Sequence, residues 1–352
     1  MGSNDQLAND THKPRLLYVG YTPHLQSKST VFFVDLLKQH FSVTEHYASG
    51  RFNKTMPTAE EINRYDRVVF FQLIPSLFRL RRIKRPCFYV PMYDNEAYNP
   101  WQWRRLRHLG VHVISFSTTL AHFLTELGLT PFTCTYYPSP LPFTPGDPRK
   151  VFLWERGDIC FEHLKFVLNP DDVDELCIRR LPTAPTLSEA DQSAYKISFI
   201  PTSHTLSREE YFNFFKECGI YIAPRKREGI GMSFLEAMAM GKCVIGHRNA
   251  TMNEYIRHED NGLLVDFTNT APLSLQTLHT LQERAYSTII NGYKNWEEQS
   301  KEMVHYIICG NVLRTRRSML KWWLLLPLQF AGDIRTVLSR THPYFLRKQL
   351  KG

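Results

Sequence analysis

Two glutamates, Glu228 and Glu236, stand eight positions apart in the run Glu-Gly-Ile-Gly-Met-Ser-Phe-Leu-Glu-Ala-Met-Ala-Met that spans 228–240. The first lies in a glycine-rich loop, the second one turn inside the helix that the loop opens. Free backbone N–H groups at such a helix start, near Gly231, Met232 and Ser233, form an anion site suited to a diphosphate. Gly229 and Gly231 carry no Cβ, so a ligand can approach the backbone there. Glu236 is placed to accept two hydrogen bonds from a ribose diol, and Glu228 to reach hydroxyls of a sugar beyond the phosphates. Taken singly, Glu228 reads as a solvated loop acid and Glu236 as a helix-dipole partner. With the glycines and the flanking strands in place, the binding reading is the better one.

The elements that must hold these residues are legible on either side. An apolar strand, Ile220–Ala223, precedes the loop 224–231, Gly241 suits a helix C-terminal cap, and Cys243–Gly246 reads as the next buried strand. Leu235, Met238 and Ala239 fall on the core-facing side of the helix. Strand, glycine loop, helix and strand make a βαβ unit whose helix N-terminus faces a crevice.

Glu228-Gly-Ile-Gly, Leu235-Glu236-Ala-Met-Ala-Met-Gly241-Lys242 and Val244-Ile245 resemble the signature of family-four retaining glycosyltransferases of the group 1 type, which have the GT-B fold. Asn253-Glu254-Tyr255-Ile256 with Asn261-Gly262-Leu263-Leu264-Val265 resembles the helix, turn and strand that follow it there. Ser207-Arg-Glu-Glu210-Tyr211, a capping box, sits where the family opens a helix. The match is specific from about 197 to 266. It implies an α/β chain of two Rossmann-like, doubly wound parallel-sheet domains facing a central cleft. It also implies that Glu228 contacts the donor sugar and Glu236 its ribose.

Three departures from the family pattern matter. Gly20 is followed by Tyr-Thr-Pro-His-Leu, where the family has a glycine pair. Arg156, in Trp154-Glu155-Arg156, matches a family arginine, but Phe161 stands where a lysine is expected five residues on. The second cation for the leaving diphosphate is therefore open among Lys165, Arg225 and Lys226. Relatives place a histidine after the fourth strand; here Tyr93 or Asp94 occupies that place.

Composition agrees with a globular enzyme of about two domains: 352 residues, 43% hydrophobic and 22% charged. The expected divisions are a disordered leader 1–14, an acceptor domain 15–145, a donor domain 146–310 and basic amphipathic helices 311–352. In the first half Arg15–Gly20, Arg67–Leu73, Cys87–Met92 and Val111–Phe116 read as strands. Ser29 or Thr30 and Ser117 or Thr118 read as helix caps. The proline-dense Tyr137–Pro145 marks the domain boundary. Seven scattered cysteines form no Cys-x-x-Cys pair and read as buried reduced thiols. With no secretory signal at the start, the simplest address is cytoplasmic, peripheral on the inner face of a membrane if the tail binds lipid.

Charge is uneven. Nine bases and one acid fall between 311 and 352, so that tail carries eight of the nine net positive charges. It also holds Trp322-Trp323-Leu-Leu-Leu-Pro-Leu328, too short to span a bilayer. Two readings stand: an interfacial segment on anionic lipid, or a helix packed back on the first domain. Arg79, Arg81, Arg82, Lys84 and Arg85, and Trp101 to Arg107, are further basic runs that suit a phosphorylated lipid acceptor or simply a solvated face. No stacking platform or recognition motif supports nucleic-acid binding.

Asp172-Val-Asp174 spells a metal-binding Asp-x-Asp, but its place before a strand reads as a solvated loop, and no His/Cys cluster has metal-ligand spacing. The expectation is a metal-independent, retaining hexosyltransferase without cofactor. It would use a UDP- or GDP-linked sugar donor and a glycan or lipid-linked acceptor, in surface polysaccharide or glycolipid synthesis. Glu228, Arg156 and Asp94 would act at the reacting centre. Glu236, Gly229, Gly231, Met232, Ser233 and Lys226 would bind the donor. A non-catalytic membrane scaffold and a sugar-nucleotide epimerase are the rivals.

Overall fold

The computed structural model describes residues 13–49, 55–94, 100–156, 158–180, 184–200, 208–267, 272–275, 277–312, 316–331 and 334. Most of the leader, Ser207 of the capping box and the chain beyond 334 lie outside the described residues. Two six-stranded sheets are formed, with every strand pair parallel. The first contains β1 (Arg15–Tyr21), β2 (Ser42–Ala48), β3 (Arg67–Phe71), β4 (Cys87–Val90), β5 (His112–Ser115) and β6 (Phe132–Thr133), ordered β2-β1-β3-β4-β5-β6. The second contains β7 (Asp147–Trp154), β8 (Glu175–Arg179), β9 (Ile197–Ile200), β10 (Cys218–Ile222), β11 (Cys243–His247) and β12 (Leu263–Val265), ordered β12-β11-β10-β7-β8-β9. This is the two-domain α/β architecture of the GT-B fold.

Each order reverses at one place: between β1 and β3 in the first sheet, and between β7 and β10 in the second. In open α/β sheets the crevice beyond the strand carboxyl ends at such a reversal is where ligands bind. Every element that the sequence placed around Glu228 is found within a residue or two of its expected bounds. β2, a weakly alternating edge strand, was not expected; its mixed Ser-Val-Thr-Glu-His-Tyr-Ala carries no clear apolar face.

The site helix Met232–Ala239 is closed by the Schellman pairing: Lys242 N–H donates to Ala237 C=O (3.0 Å) and Gly241 N–H to Met238 C=O (2.9 Å). Gly241 has φ +82°, as that motif requires. The next carbonyls, of Ala239 and Met240, accept from Leu141 and Thr144 N–H in the proline-dense segment. That segment is thus an extended strap satisfying the orphan carbonyls of the helix end. Lys242, fully buried, completes the attachment by donating to the carbonyls of Thr144 (2.5 Å) and Lys216 (2.6 Å).

The 32-residue helix Leu278–Cys309 runs about 48 Å at the usual rise. Its start packs on the second sheet, through Leu278 and Leu281. Its later turns pack on the first: Trp296 meets Phe32, Phe116 and Tyr136, and Tyr306 meets Phe88, His112 and Phe132. One apolar cluster therefore joins both sheets, and a further cluster covers the other face of each. Glu254 links the halves again: its carboxylate accepts from Ser117 Oγ and the Thr118 and Thr119 N–H groups, at 2.7–3.1 Å, capping the helix Thr118–Glu126 of the first domain. A carboxylate at a helix N-terminus is stabilised by the dipole and the free N–H groups.

The helix Arg316–Leu324 returns to the first domain. Trp322 is fully buried there, with the Arg105 guanidinium 4.0 Å over its ring and Arg105 Nε donating to its carbonyl (3.2 Å). Of the two readings of this segment, packing on the body therefore holds for Trp322. No helix of the described residues is long and apolar enough to cross a membrane.

Candidate functional site

The two reversal points face one another. From the second sheet, β7 delivers Trp154 and Arg156, β8 delivers Arg179, and β10 leads into the loop holding Arg225, Glu228 and Gly229. From the first, β1 leads to His24, β3 to Gln72 and β4 to Met92 and Asp94.

Glu228 sits at the junction, only 8% exposed. Burial foremost pushes its carboxyl up to about 7; Asp94 and Asp158 add to the rise, while Arg225 and Arg156 oppose it. Arg225 organises these acids: its Nη1 lies 2.7 Å from Asp94 Oδ2 and 3.7 Å from Glu228 Oε2, and its Nε 4.0 Å from Asp158 Oδ2. The first contact crosses between domains. The second oxygen of Asp94, Oδ1, is buried and has no hydrogen-bond partner among the described residues. A buried acceptor without a donor is costly unless a ligand hydroxyl or water supplies one.

At Gly229 the loop runs close against the first domain. A Cβ there would stand 2.9 Å from Met92 Cβ and 3.0 Å from Asp94 Oδ1, so only glycine lets the loop pass. Gly231 has φ +85° at the N-cap of the site helix, and a Cβ would strike the Phe234 ring. The glycines thus set the approach of loop to cleft and the turn into the helix.

Behind the helix start, Tyr211 and Tyr221 share a hydrogen bond between hydroxyls (2.8 Å), and Tyr221 also bonds Ser233. Both tyrosines are pushed up, first by burial, with the Glu236 charge adding to the rise. Glu236 is half-buried beside them. Next along the cleft Trp154 carries two guanidinium groups, Arg156 at 4.4 Å and Arg179 at 4.5 Å from its ring centroid; Arg179 also lies 5.9 Å from Tyr211. Burial first, and then the Arg156 charge, push Arg179 down. Two like charges held by one indole make a site for a multiply charged anion.

The structure therefore gathers Glu228, Asp94, Arg156, Glu236, Gly229, Gly231, Met232 and Ser233 on one cleft. Lys226 is differently placed. Its N–H donates to Asp158 Oδ2 (3.3 Å), and its charge bears on His163 and His247, both pushed down, first by burial and then in part by it. Lys165 is a surface partner of Glu162 (3.1 Å) and Asp191 (2.8 Å). Arg225 is occupied by the acids around it. Among the described residues, none of the three named for the missing cation lies over the Trp154 ring that carries Arg156. Arg179 does; sequence reading saw only the end of a strand there, and the available signal was its position at a strand carboxyl end next to the reversal.

His24 is the second residue that sequence reading missed. Its ring lies edge-on to Tyr21 and Phe71, within reach of Gln72 and Asp94. Burial, opposed by those two partners, pushes it down, and its Nδ1 is buried without a hydrogen-bond partner among the described residues. Neither Tyr93, which lies 5.9 Å from Arg227, nor a residue after β4 supplies an imidazole; one comes instead from the short helix Thr22–Ser27 after β1. Asp172 and Asp174 stand at the other end of β8. There Asp174 pairs with Arg149 (2.8 Å) and Lys196 (3.1 Å), which hold its carboxyl down at about 2. Among the described residues no group of three or more His, Cys, Asp or Glu could hold a metal ion.

The profile of the family described as "Glycosyl transferases group 1" matches residues 202–303, the segment holding Glu228 and Glu236. That segment is thus similar to the group 1 glycosyltransferases, on a chain with the matching fold. Its fold is similar to that of a glycosyltransferase from Rickettsia africae (TM-score 0.56, 14% identity, 84% of this chain and 98% of that one covered). It is similar also to sucrose-phosphate synthase from Thermosynechococcus elongatus (0.53, 12%, 83% and 98%) and to HepE from Anabaena, solved with UDP (0.51, 13%, 83% and 99%). At such identities the likeness is one of fold. No protein of curated function matches the sequence.

Proposed function

We propose that this chain transfers a hexose-type sugar, with retention of configuration, from a UDP- or GDP-linked donor to a glycan or lipid-linked acceptor of a surface polysaccharide or glycolipid. One observation carries the reading: along a single cleft the groups run Glu236, the Trp154-borne pair Arg156 and Arg179, then Glu228, Asp94 and His24. That is the order ribose, diphosphate, sugar, acceptor.

Glu236 accepts from the ribose diol. Arg156, Arg179 and the N–H groups at Gly231–Ser233 meet the charge that grows on the leaving diphosphate, which is electrostatic stabilisation by groups already in place. Glu228 and Asp94 Oδ1 receive donor-sugar or acceptor hydroxyls; with its raised pKa, Glu228 can also donate while protonated. The acceptor oxygen bonds to the anomeric carbon on the face the diphosphate leaves. Its proton passes to the departing β-phosphate oxygen, so no enzyme nucleophile is required. The fold-mate solved with UDP supports a uridine donor as the first to try.

A thermal-shift panel of UDP, GDP and ADP on wild type and Glu236→Ala tests the donor half. A nucleotide at about 100 times its Kd adds roughly 2.7 kcal/mol. Stabilisation by one nucleotide, weakened in the variant, is the expected result; no shift with any of them overturns the donor site. With the donor known, the anomeric configuration of the product decides retention, and an inverted anomer removes the front-face mechanism.

A further inference from the structure

From 318 to 331 the chain exposes and buries side chains with a helical period. Met319, Trp322, Leu326 and Gln329 turn inward or partly inward, and positions 320, 321, 323, 324, 327, 328, 330 and 331 are exposed. On a helix docked to a domain the outward face is ordinarily polar. Here it is Leu320, Lys321, Trp323, Leu324, Pro327, Leu328, Phe330 and Ala331, one charge among seven apolar residues. Leu320 is 62% exposed, Leu324 67% and Phe330 56%; Ile334 continues the face at 59%. Phe78 of the first domain, 45% exposed, extends it sideways and lies 5.9 Å from Trp323 ring to ring.

The face is fixed firmly. Trp322 and Arg105 anchor its underside, Ser318 Oγ donates to His108 C=O (2.7 Å), and Arg105 bonds the Gln329 side chain. Its apolar residues are therefore displayed by the packing and cannot fold inward. The rim is basic. Arg81 lies 5.0 Å over Trp323, and Lys321 and Arg107 both act on His108, which burial first and then these charges push down. Arg82 is exposed nearby with Glu60 as its partner at 3.6 Å. In the sequence Arg335, Arg340, Arg347, Lys348 and Lys351 follow directly.

We propose that this face is a membrane-docking surface for an anionic lipid bilayer. Leu320, Trp323, Leu324, Leu328 and Phe330 would enter the interface, and Arg81, Arg107 and Lys321 would meet the headgroup charge. Apolar contact rimmed by cations is what interfacial helices use, and tryptophan favours that depth. A contiguous apolar area of this kind on a soluble surface marks an interaction site. The proposal does not depend on the donor site: it stands or falls by binding alone.

The test is co-sedimentation of the full chain with vesicles of phosphatidylcholine alone and of phosphatidylcholine mixed with anionic phosphatidylglycerol, whose negative surface potential attracts basic segments. Wild type is compared with Leu320→Glu/Leu324→Glu and with Arg81→Glu/Lys321→Glu, each checked by melting for an intact fold. The expected result is binding to the anionic vesicles that weakens about tenfold or more in either variant and falls with added salt. No binding to either vesicle, equal binding to both, or binding that the Leu320→Glu/Leu324→Glu change leaves intact overturns it. So does a concentration-dependent dimer of the wild type that this variant abolishes, which would assign the face to a second copy.

Discussion

The Arg225 guanidinium, on the loop after β10, lies 2.7 Å from the carboxylate of Asp94, on the loop after β4 of the other domain. This ion pair joins the two halves at the point where the donor sugar would sit, 3.7 Å from Glu228. Opening of the cleft would have to break it, so the state of the acids and the closure of the domains are coupled.

Asp94→Asn is expected to lower the Glu228 pKa, since a neighbouring negative charge is removed and Arg225 is released toward Glu228. The cost in stability should be about 1–3 kcal/mol, the range for a partly buried charged hydrogen bond. Carbon-detected titration of the Glu228 carboxyl measures the first; an unmoved pKa would show that Asp94 acts only as a structural anchor.

Stability should fall as pH rises through the Glu228 titration. Its folded pKa, about 7, lies above the ordinary carboxyl value, so the native state holds a proton that the unfolded chain has released. The contribution is fully present below about pH 4.5 and is lost by about pH 7, amounting to roughly 3 kcal/mol at that shift. Glu228→Gln should flatten this part of the pH–stability curve. Parallel curves for the two proteins between pH 4.5 and 7.5 would refute the assignment.

Arg179→Ala should reduce kcat/KM for the nucleotide-sugar by about 10- to 100-fold, the effect of one charge-assisted contact to a developing anion. Arg156→Ala should do likewise, and the double variant should lose less than the product because the two share one anion. Lys165→Ala serves as the control, since that lysine pairs with Glu162 and Asp191. If Lys165→Ala matches Arg179→Ala, the proposed diphosphate site is misplaced.

Lys242 belongs to the family-like signature yet is a structural residue, holding the strap to the site helix. Lys242→Met should cost about 1–3 kcal/mol by stranding two buried carbonyls, with the donor KM unchanged. Burial has pushed this lysine down to about 8. The native state therefore lacks a proton that the unfolded chain keeps, and its contribution to wild-type stability grows as pH rises from about 8 to 10. A raised donor KM at unchanged stability would instead make Lys242 a ligand residue.

Adjacent tryptophans should behave oppositely. Trp322→Ala empties a fully buried site and is expected to cost about 3–5 kcal/mol, whereas Trp323→Ala, at a 42% exposed position, should cost under about 1. Paired urea titrations decide it; equal losses would mean that Trp323 also supports the core.

What the chain determined by itself was local. The glycines at 229, 231 and 241, the acids at 228 and 236 and the apolar strands around them act over a few residues, through backbone conformation, capping and periodicity. The βαβ unit and its helix cap could therefore be read directly. So could Ser117, whose side chain accepts from Leu120 N–H as a cap should. Tertiary structure decided the rest, because charge and burial depend on which strand ends face one another. Arg179 and Arg156 are 23 positions apart and become neighbours only because β8 pairs with β7. His24 reaches Asp94 only across the first sheet's reversal. Glu228 carries a raised pKa because it is buried, with Asp94 of the other domain and Asp158 adding to the rise. The Trp322-Trp323 pair makes the same point in one turn of helix: the two side chains are alike in sequence, and docking on Arg105 puts one in the core and leaves the other on the surface.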